Sequence, residues 1–267
     1  MKLTNDNYYS LEANKVYMSS TQFKDFMKCE KEGKVKALGE LVEPKTDALL
    51  FGGYVDAYFS GELEQFKAQN QDMFNTRTGE LKAPFKNIQE VIDTIESDEL
   101  LLEALSGEKQ KIFVGKISGV PFKIKIDSYF ENRLIVDQKI IKDLDLLWVE
   151  QNGKNVKTDF VSAFGYDIQM AIYQEIVRQN TGLVLPCVLA ITTKQECPDK
   201  ALLKIDQVYL DRALEIVKAL APRYAKIKNG EIEPLGCGKC PTCRKGKKLD
   251  GITLYSTYFH KTDLGEE

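Results

Sequence analysis

Three consecutive segments with the alternation of β-strands occupy the centre of the sequence, and they limit the possible folds more than any other feature. They cover residues 111–117, 120–129 and 133–140. Ser118-Gly119 separates the first two segments, and Glu131-Asn132 lies between the second and the third. Connections this short join antiparallel neighbours, because parallel strands need a much longer crossover. The sequence therefore predicts a three-stranded antiparallel sheet.

Apolar residues at helical spacing lie on both sides of this block. The predicted helices cover residues 22–28, 47–59, 87–105, 160–179 and 211–228, and 64–84 is predicted to be loop-rich. Two later apolar segments, 183–192 and 202–210, predict further strands. This mixture predicts an α/β fold in which helices flank a mixed β-sheet. We expect one domain over 1–267, with a helical and loop insertion at 60–110 and a Cys-rich basic tail at 229–267.

Composition excludes several classes of protein. The chain has 267 residues, of which 43% are hydrophobic and 29% charged, and these values exclude disordered, collagen-like and coiled-coil chains. His260 is the single histidine, so an enzyme of this sequence would use carboxylates, lysine or cysteine. No apolar run approaches the ~18 residues that cross a bilayer, and the N-terminus has no apolar signal core. We therefore expect a cytoplasmic protein without a membrane segment.

Two adjacent strands carry a cluster of acidic and basic residues. Alternation puts Lys123, Lys125 and Asp127 on one strand face, and it puts Asp137 beside Lys139 on the next strand. Asp127 and Asp137 are then close enough to share a divalent cation. Two carboxylates binding Mg²⁺ beside a lysine suit phosphodiester hydrolysis, in which the lysine orients or deprotonates water. The same pattern also fits an ordinary solvated strand face.

A family resemblance favours the catalytic interpretation. In order along the chain stand Gly52-x-x-x-Asp56, Asp127, Asp137-x-Lys139 and Gln169-x-x-x-Tyr173. These motifs resemble those of the PD-(D/E)XK nuclease superfamily, and in particular the RecB/RecE-like phage exonucleases of the exodeoxyribonuclease VIII type. The segments FGGYVDAYF at 51–59 and YDIQMAIY at 166–173 resemble that group most closely. The resemblance covers roughly residues 17–249.

The resemblance implies a restriction-endonuclease-like core and assigns roles to individual residues. Asp127, Asp137 and the Gln138 carbonyl would bind Mg²⁺ or Mn²⁺, and Lys139 would be the catalytic lysine. Gln169 and Tyr173, one helical turn apart, would line the site or hold the DNA backbone.

Asp56 departs from the family pattern, since many members carry a metal-binding histidine at that position. An aspartate oxygen is at least as good a ligand for Mg²⁺ or Mn²⁺, so Asp56 would be a further ligand. A degenerate, inactive copy of the site also fits this change.

Three cysteines cluster in the tail as Cys237-x-x-Cys240-x-x-Cys243, and Cys29 is the candidate for a fourth ligand. This spacing fits a zinc site or an iron–sulfur cluster, and equally a set of free thiols. An N-terminal cysteine combined with a C-terminal group resembles the iron–sulfur arrangement of AddB-type and CRISPR-associated RecB-type nucleases.

Basic residues near both clusters could bind phosphates, and they are Lys123, Lys125, Arg244 and Lys245. The sequence and the resemblance together predict a Mg²⁺-dependent exonuclease, 5′→3′ by analogy, that acts on double-stranded DNA ends in phage-type recombination. By the same analogy we expect a ring-shaped homo-oligomer and a single-strand annealing protein as partner. The alternative is a non-catalytic DNA-binding or recombination accessory module.

Overall fold

The computed structural model describes residues 1–151, 154–249 and 251–255. Residues 250 and 256–267 of the predicted tail, which include His260, lie outside the described residues. The strands are β1 (Glu108–Ile117), β2 (Val120–Phe130), β3 (Leu134–Ile141), β4 (Leu147–Gln151), β5 (Lys154–Thr158), β6 (Cys187–Thr193) and β7 (Lys200–Lys204). Five of them form one sheet in the order β1-β2-β3-β6-β7, and β4 pairs with β5 separately.

The predicted antiparallel block is confirmed. β1 pairs with β2 and β2 with β3, both antiparallel, whereas β3 and β6 run parallel. Ser118 and Gly119 have φ values of 47° and 81°, so both residues of the first turn adopt the left-handed conformation of a tight hairpin. The parallel pairing of β3 with β6 makes the sheet mixed, as predicted.

Helices cover both faces of the sheet. They are α1 (Leu11–Val16), α2 (Ser20–Lys28), α3 (Glu30–Ala37), α4 (Asp47–Ser60), α5 (Leu63–Gln69), α6 (Ile88–Glu96), α7 (Glu99–Ala104), α8 (Phe160–Ala163), α9 (Tyr166–Thr181), α10 (Gln207–Lys228) and α11 (Pro241–Lys245). Short 3₁₀ helices lie at Gln71–Met73 and Ala83–Phe85.

Alternating residues of β3 and β6 face two separate hydrophobic clusters. Ile135 and Leu189 pack in the first cluster with α9 and α10, while Val136 and Ala190 pack in the second with α4 and α6. Burial on both faces explains why the β6 segment is almost continuously apolar. The sheet is therefore the middle layer of an α/β/α sandwich.

Several predicted boundaries are wrong for identifiable reasons. The strand predicted at 202–210 ends at Lys204, because Leu210, Ala213 and Val217 form the buried stripe of α10 instead. The helix predicted at 160–179 is interrupted at Gly165, which has φ 62°. The helix predicted at 87–105 breaks before Asp98, whose carboxylate caps α7.

Several further elements went beyond the prediction. Helix α5 overlaps the segment 64–84 that was predicted to be loop-rich, and α1, α3, α11 and the hairpin of β4 and β5 were not predicted. Within the described parts of the chain, no helix combines the length and apolar character needed to cross a membrane.

Candidate active site

The carboxylates of Asp127 and Asp137 lie where β2 and β3 separate. Backbone pairing between these strands extends as far as Ser128 and Val136. The Gln138 N–H beyond that pair donates to Asp127 Oδ2 at 2.9 Å. The side chain of Asp127 thus takes the place of a backbone acceptor, and this opens the sheet at the point where the two acids meet.

Asp137 is held from two sides in a buried position. It is 1% exposed, its Oδ2 forms an ion pair with Lys139 Nζ, and its Oδ1 accepts a 2.6 Å hydrogen bond from Gln169 Nε2. The Tyr173 hydroxyl donates to the Lys125 carbonyl at 3.0 Å. Helix α9 therefore fastens β3 through Gln169 and β2 through Tyr173.

Asp56 reaches the same cavity from α4. Gln110 Nε2, on β1, donates to Asp56 Oδ1 at 3.2 Å. A cavity of about 360 Å³ is lined by all three carboxylates together with Lys125, Lys139, Gln169 and Tyr173. The structure thus brings the residues of all four sequence motifs into one place.

Burial and the crowding of acids raise the pKa values of Asp127 and Asp56. Burial, followed by the charges of Asp137 and Asp56, raises the pKa of Asp127 well above its ordinary value. Burial also raises the pKa of Asp56, although the nearby Lys125 opposes this rise. For Lys139, burial favours the neutral amine, but the charges of Asp137 and Asp127 outweigh it and raise its pKa.

The donor set fits a divalent cation that prefers oxygen ligands. Asp137 Oδ2 is buried, and the Lys139 ammonium is its polar contact among the described residues. Three carboxylates that repel one another become compatible when a divalent cation neutralises them. Asp56, Asp127 and Asp137 are therefore the residues that would hold such an ion, with the Gln138 backbone beside them.

Some residues in or near the cavity were not identified from the sequence. Burial, with a smaller contribution from the Lys139 ammonium, lowers the pKa of Lys24 on α2 to about 8. Tyr9 lies with its ring centroid 4.7 Å from Lys125 Nζ, and Gln110 holds Asp56. No local pattern separates Lys24 or Tyr9 from surface residues, because only the fold of the N-terminal segment brings them here.

Lys123 lines the cavity with Lys125 and Asp127, as alternation predicts, but the side chain is covered rather than open to DNA. It is 1% exposed, and its ammonium donates to the Tyr8 carbonyl and, at 2.7 Å, to Asn14 Oδ1. The N-terminal segment covers this lysine, so a phosphate contact by Lys123 would require that segment to move. By contrast, Lys125 is partly exposed and Arg244 and Lys245 are exposed.

The predicted cysteine group also comes together, away from the carboxylates. The sulfurs of Cys29, Cys237, Cys240 and Cys243 all lie within 4.8 Å of one another. Cys29 ends α2, Cys237 precedes α11, Cys240 is the N-cap of α11 and Cys243 lies within it. Cys187 is buried and Cys197 is exposed, and both stand outside this group.

Comparison with known families assigns the fold. A model of the PDDEXK-like domain of unknown function (DUF3799) matches residues 19–246, which is most of the chain. The chain belongs to this PDDEXK-like family. The matched segment contains Asp56, Asp127, Asp137 and Lys139 and all three tail cysteines. The predicted PD-(D/E)XK resemblance and the mixed-sheet core are thereby confirmed.

A solved structure that is similar to this chain supports its interpretation as a nuclease. The crystal structure of a candidate exonuclease from Eubacterium rectale is 45% identical to this PDDEXK-like chain, with a TM-score of 0.90. The match covers 97% of this chain and 98% of that one. A second solved structure, that of SSO0001, is 12% identical over 72% of this chain and 84% of that one, and its TM-score of 0.27 carries no weight for the fold. A search of curated proteins gives no match.

Proposed function

We propose that this protein is a metal-dependent exonuclease that hydrolyses phosphodiester bonds of linear duplex DNA. The observation that carries the proposal is the meeting of Asp56, Asp127, Asp137 and Lys139 in one cavity. Families of PDDEXK type generally use divalent metals, and the 45% identical relative is a candidate exonuclease.

The carboxylates would hold the metal in this proposal. Asp127 and Asp137, the Gln138 carbonyl and Asp56 are the ligands, and Mg²⁺ or Mn²⁺ is the ion that suits oxygen donors. A divalent cation at this position supplies positive charge that stabilises phosphoryl oxygens in the transition state and lowers the pKa of water.

Lys139 would act on the scissile phosphate or on the attacking water. Its raised pKa keeps the ammonium protonated, so it donates hydrogen bonds and positive charge toward a phosphate oxygen or water. Gln169 and Tyr173 are positioning residues, because their hydrogen bonds fix the Asp137 carboxylate and the Lys125 backbone.

Cationic side chains around the cavity would bind the DNA backbone. Lys125 lines the cavity and Lys24 lies within electrostatic range of Lys139, whereas Arg244 and Lys245 are exposed on α11. Phosphate contacts of this kind weaken as salt concentration rises, because binding releases counterions.

Finer features of the proposal come from the resemblance to RecE-like exonucleases. They are 5′→3′ polarity, a role in phage-type recombination in the cytoplasm, a ring-shaped oligomer and a single-strand annealing partner. The non-catalytic accessory module remains the competing function, since Asp56 replaces the histidine of many relatives.

The test is hydrolysis of linear and circular duplex DNA in Mg²⁺, with label at either 5′ or 3′ ends. The proposal expects nucleotide release from linear DNA only, and none after chelation of the metal. Lys139→Ala should lower the rate by at least about 100-fold, the scale of one catalytic group, while the exposed Lys218→Ala serves as control. DNA binding without hydrolysis by the natural protein would favour the accessory module.

A further inference from the structure

Four cysteine sulfurs converge where the N-terminal and C-terminal parts of the chain meet. Cys29 Sγ lies 3.5 Å from Cys243 Sγ and 3.7 Å from Cys240 Sγ, and Cys237 Sγ lies 4.0 Å from Cys243 Sγ. We propose that these four residues bind one structural zinc ion as a closed tetrahedral thiolate site. This site is distinct from the carboxylate cavity and does not depend on the proposed nuclease activity.

The separations between sulfurs distinguish a single ion from a cluster. Four thiolates about 2.3 Å from a tetrahedral zinc ion lie about 3.8 Å from one another. Three of the separations, 3.5, 3.7 and 4.0 Å, are close to that value, and all of them are within 4.8 Å. In a [4Fe–4S] cluster each thiolate binds a different iron atom, which holds the sulfurs farther apart. The geometry thus favours a mononuclear site over the iron–sulfur alternative.

The surrounding backbone also favours thiolates. The Cys240 N–H donates to Cys237 Sγ at 3.2 Å, and the Cys243 N–H donates to Cys240 Sγ at 3.4 Å. Hydrogen bonds of this kind orient metal-binding sulfurs and stabilise their charged form. At Gly236 an added Cβ would lie 3.0 Å from Cys243 Sγ, so the chain approaches the sulfurs as closely as glycine allows.

Contacts beside the sulfurs anchor both chain segments. Arg223 donates two hydrogen bonds to the Glu30 carboxylate, at 2.6 and 2.8 Å, and Glu30 Oε2 also accepts the Leu235 N–H at 2.7 Å. The four sulfurs therefore occupy a place that the fold already defines. Four protein ligands leave no open position for substrate, which is characteristic of a structural zinc site.

The zinc site would close a long loop and support the wall of the carboxylate cavity. It joins residues as far apart as Cys29 and Cys243, which are 214 positions apart. Cys29 ends α2, the helix that carries Lys24 toward Lys139. Loss of zinc should therefore lower thermal stability. If the proposed nuclease function is correct, it should also reduce DNA hydrolysis.

The test measures metal in protein purified anaerobically under reducing conditions. Zinc, iron and acid-labile sulfide are determined per chain in the natural protein, in Cys243→Ser and in Cys197→Ser. Cys197 is the matched control, because it is exposed and outside the sulfur group. We expect one zinc per chain in the natural protein and in the control, and loss of zinc together with a lower Tm in Cys243→Ser.

A second measurement needs no variant. A thiol reagent added to the natural protein with a zinc indicator should release one zinc as the four sulfurs react. Cobalt exchanged into the site should give the visible absorption of tetrahedral Co²⁺–thiolate coordination. Iron with acid-labile sulfide, or four sulfurs that react freely without releasing zinc, would overturn the proposal. These readouts are unaffected if the carboxylate site proves inactive.

Discussion

Replacing Asp127 with asparagine should stabilise the metal-free protein while removing its response to metal. The asparagine amide oxygen can still accept the Gln138 N–H, which now bonds to Asp127 Oδ2 at 2.9 Å. The substitution therefore keeps the hydrogen bond and removes only the charge. Burial and the carboxylates of Asp137 and Asp56 disfavour that charge, as the raised pKa of Asp127 indicates.

The sign of the pH dependence follows from this raised pKa. The native state binds the Asp127 proton more tightly than the unfolded chain does. Its free energy of unfolding therefore falls as pH rises from about 3.9, the unfolded pKa, through the folded pKa. Each pKa unit of that window corresponds to about 1.36 kcal/mol. The advantage of Asp127→Asn should thus be absent near pH 4 and fully developed above the folded pKa.

Metal binding at the proposed site should reverse the order of stability. A ligand present at 100 times its Kd stabilises the native state by about 2.7 kcal/mol. For a chain of this size, 1 kcal/mol corresponds to roughly 2–4 °C in Tm. The natural protein should therefore gain about 5–10 °C in saturating Mg²⁺ or Mn²⁺, whereas Asp127→Asn should gain much less.

Thermal unfolding with and without metal, between pH 4 and pH 8, measures both effects. Lys218→Ala on the exposed surface of α10 controls for nonspecific salt effects. A variant that is less stable than the natural protein without metal would refute the electrostatic reasoning. An undiminished Tm increase in Mn²⁺ would refute the role of Asp127 as a ligand.

Three further predictions follow from contacts around the site and the tail. Tyr173→Phe removes the hydroxyl that donates to the Lys125 carbonyl at 3.0 Å, so the free energy of unfolding should fall by about 1 kcal/mol. In steady-state kinetics, kcat should fall by a larger factor than KM rises. In DNA-binding titrations, Lys125→Ala should reduce the slope of log affinity against log salt concentration by about 0.9 for each phosphate that this lysine neutralises. Lys218→Ala should leave the slope unchanged. An equal slope in both variants would argue against phosphate binding by Lys125. The hydrogen bond from Arg223 lowers the pKa of Glu30. Arg223→Ala should therefore lower Tm at pH 7, but not once the pH has fallen below the folded-state pKa of Glu30. A lower Tm of the variant that persists in acid would contradict this account.

Strand alternation was sufficient to predict the central part of the site. β1, β2 and β3 alternate clearly, and the short turns between them determine their order. That order alone brings Asp127 and Asp137 onto neighbouring strands. The resemblance added Asp56. This residue lies on α4, which precedes the strands in the sequence, and no periodicity in the sequence connects it to the sheet.

Long-range packing limited the remaining predictions. Lys123 follows the alternation of β2, but the segment containing Tyr8 and Asn14 folds over it and takes its ammonium. Lys24 comes within electrostatic range of Lys139 only because α2 lies beside α9. The apolar residues after Lys204 fit either a strand or a helix when the local sequence alone is considered. Packing of their apolar side against α9 favours the helix, α10.

Hydrolysis of end-labelled linear duplex DNA by the natural protein and by Asp137→Ala, with and without Mg²⁺, tests the central claim most directly. We predict nucleotide release by the natural protein only when Mg²⁺ is present, and none by Asp137→Ala in either condition. Equal release by both proteins, or release that persists after Mg²⁺ is removed, would contradict the proposed metal-dependent mechanism.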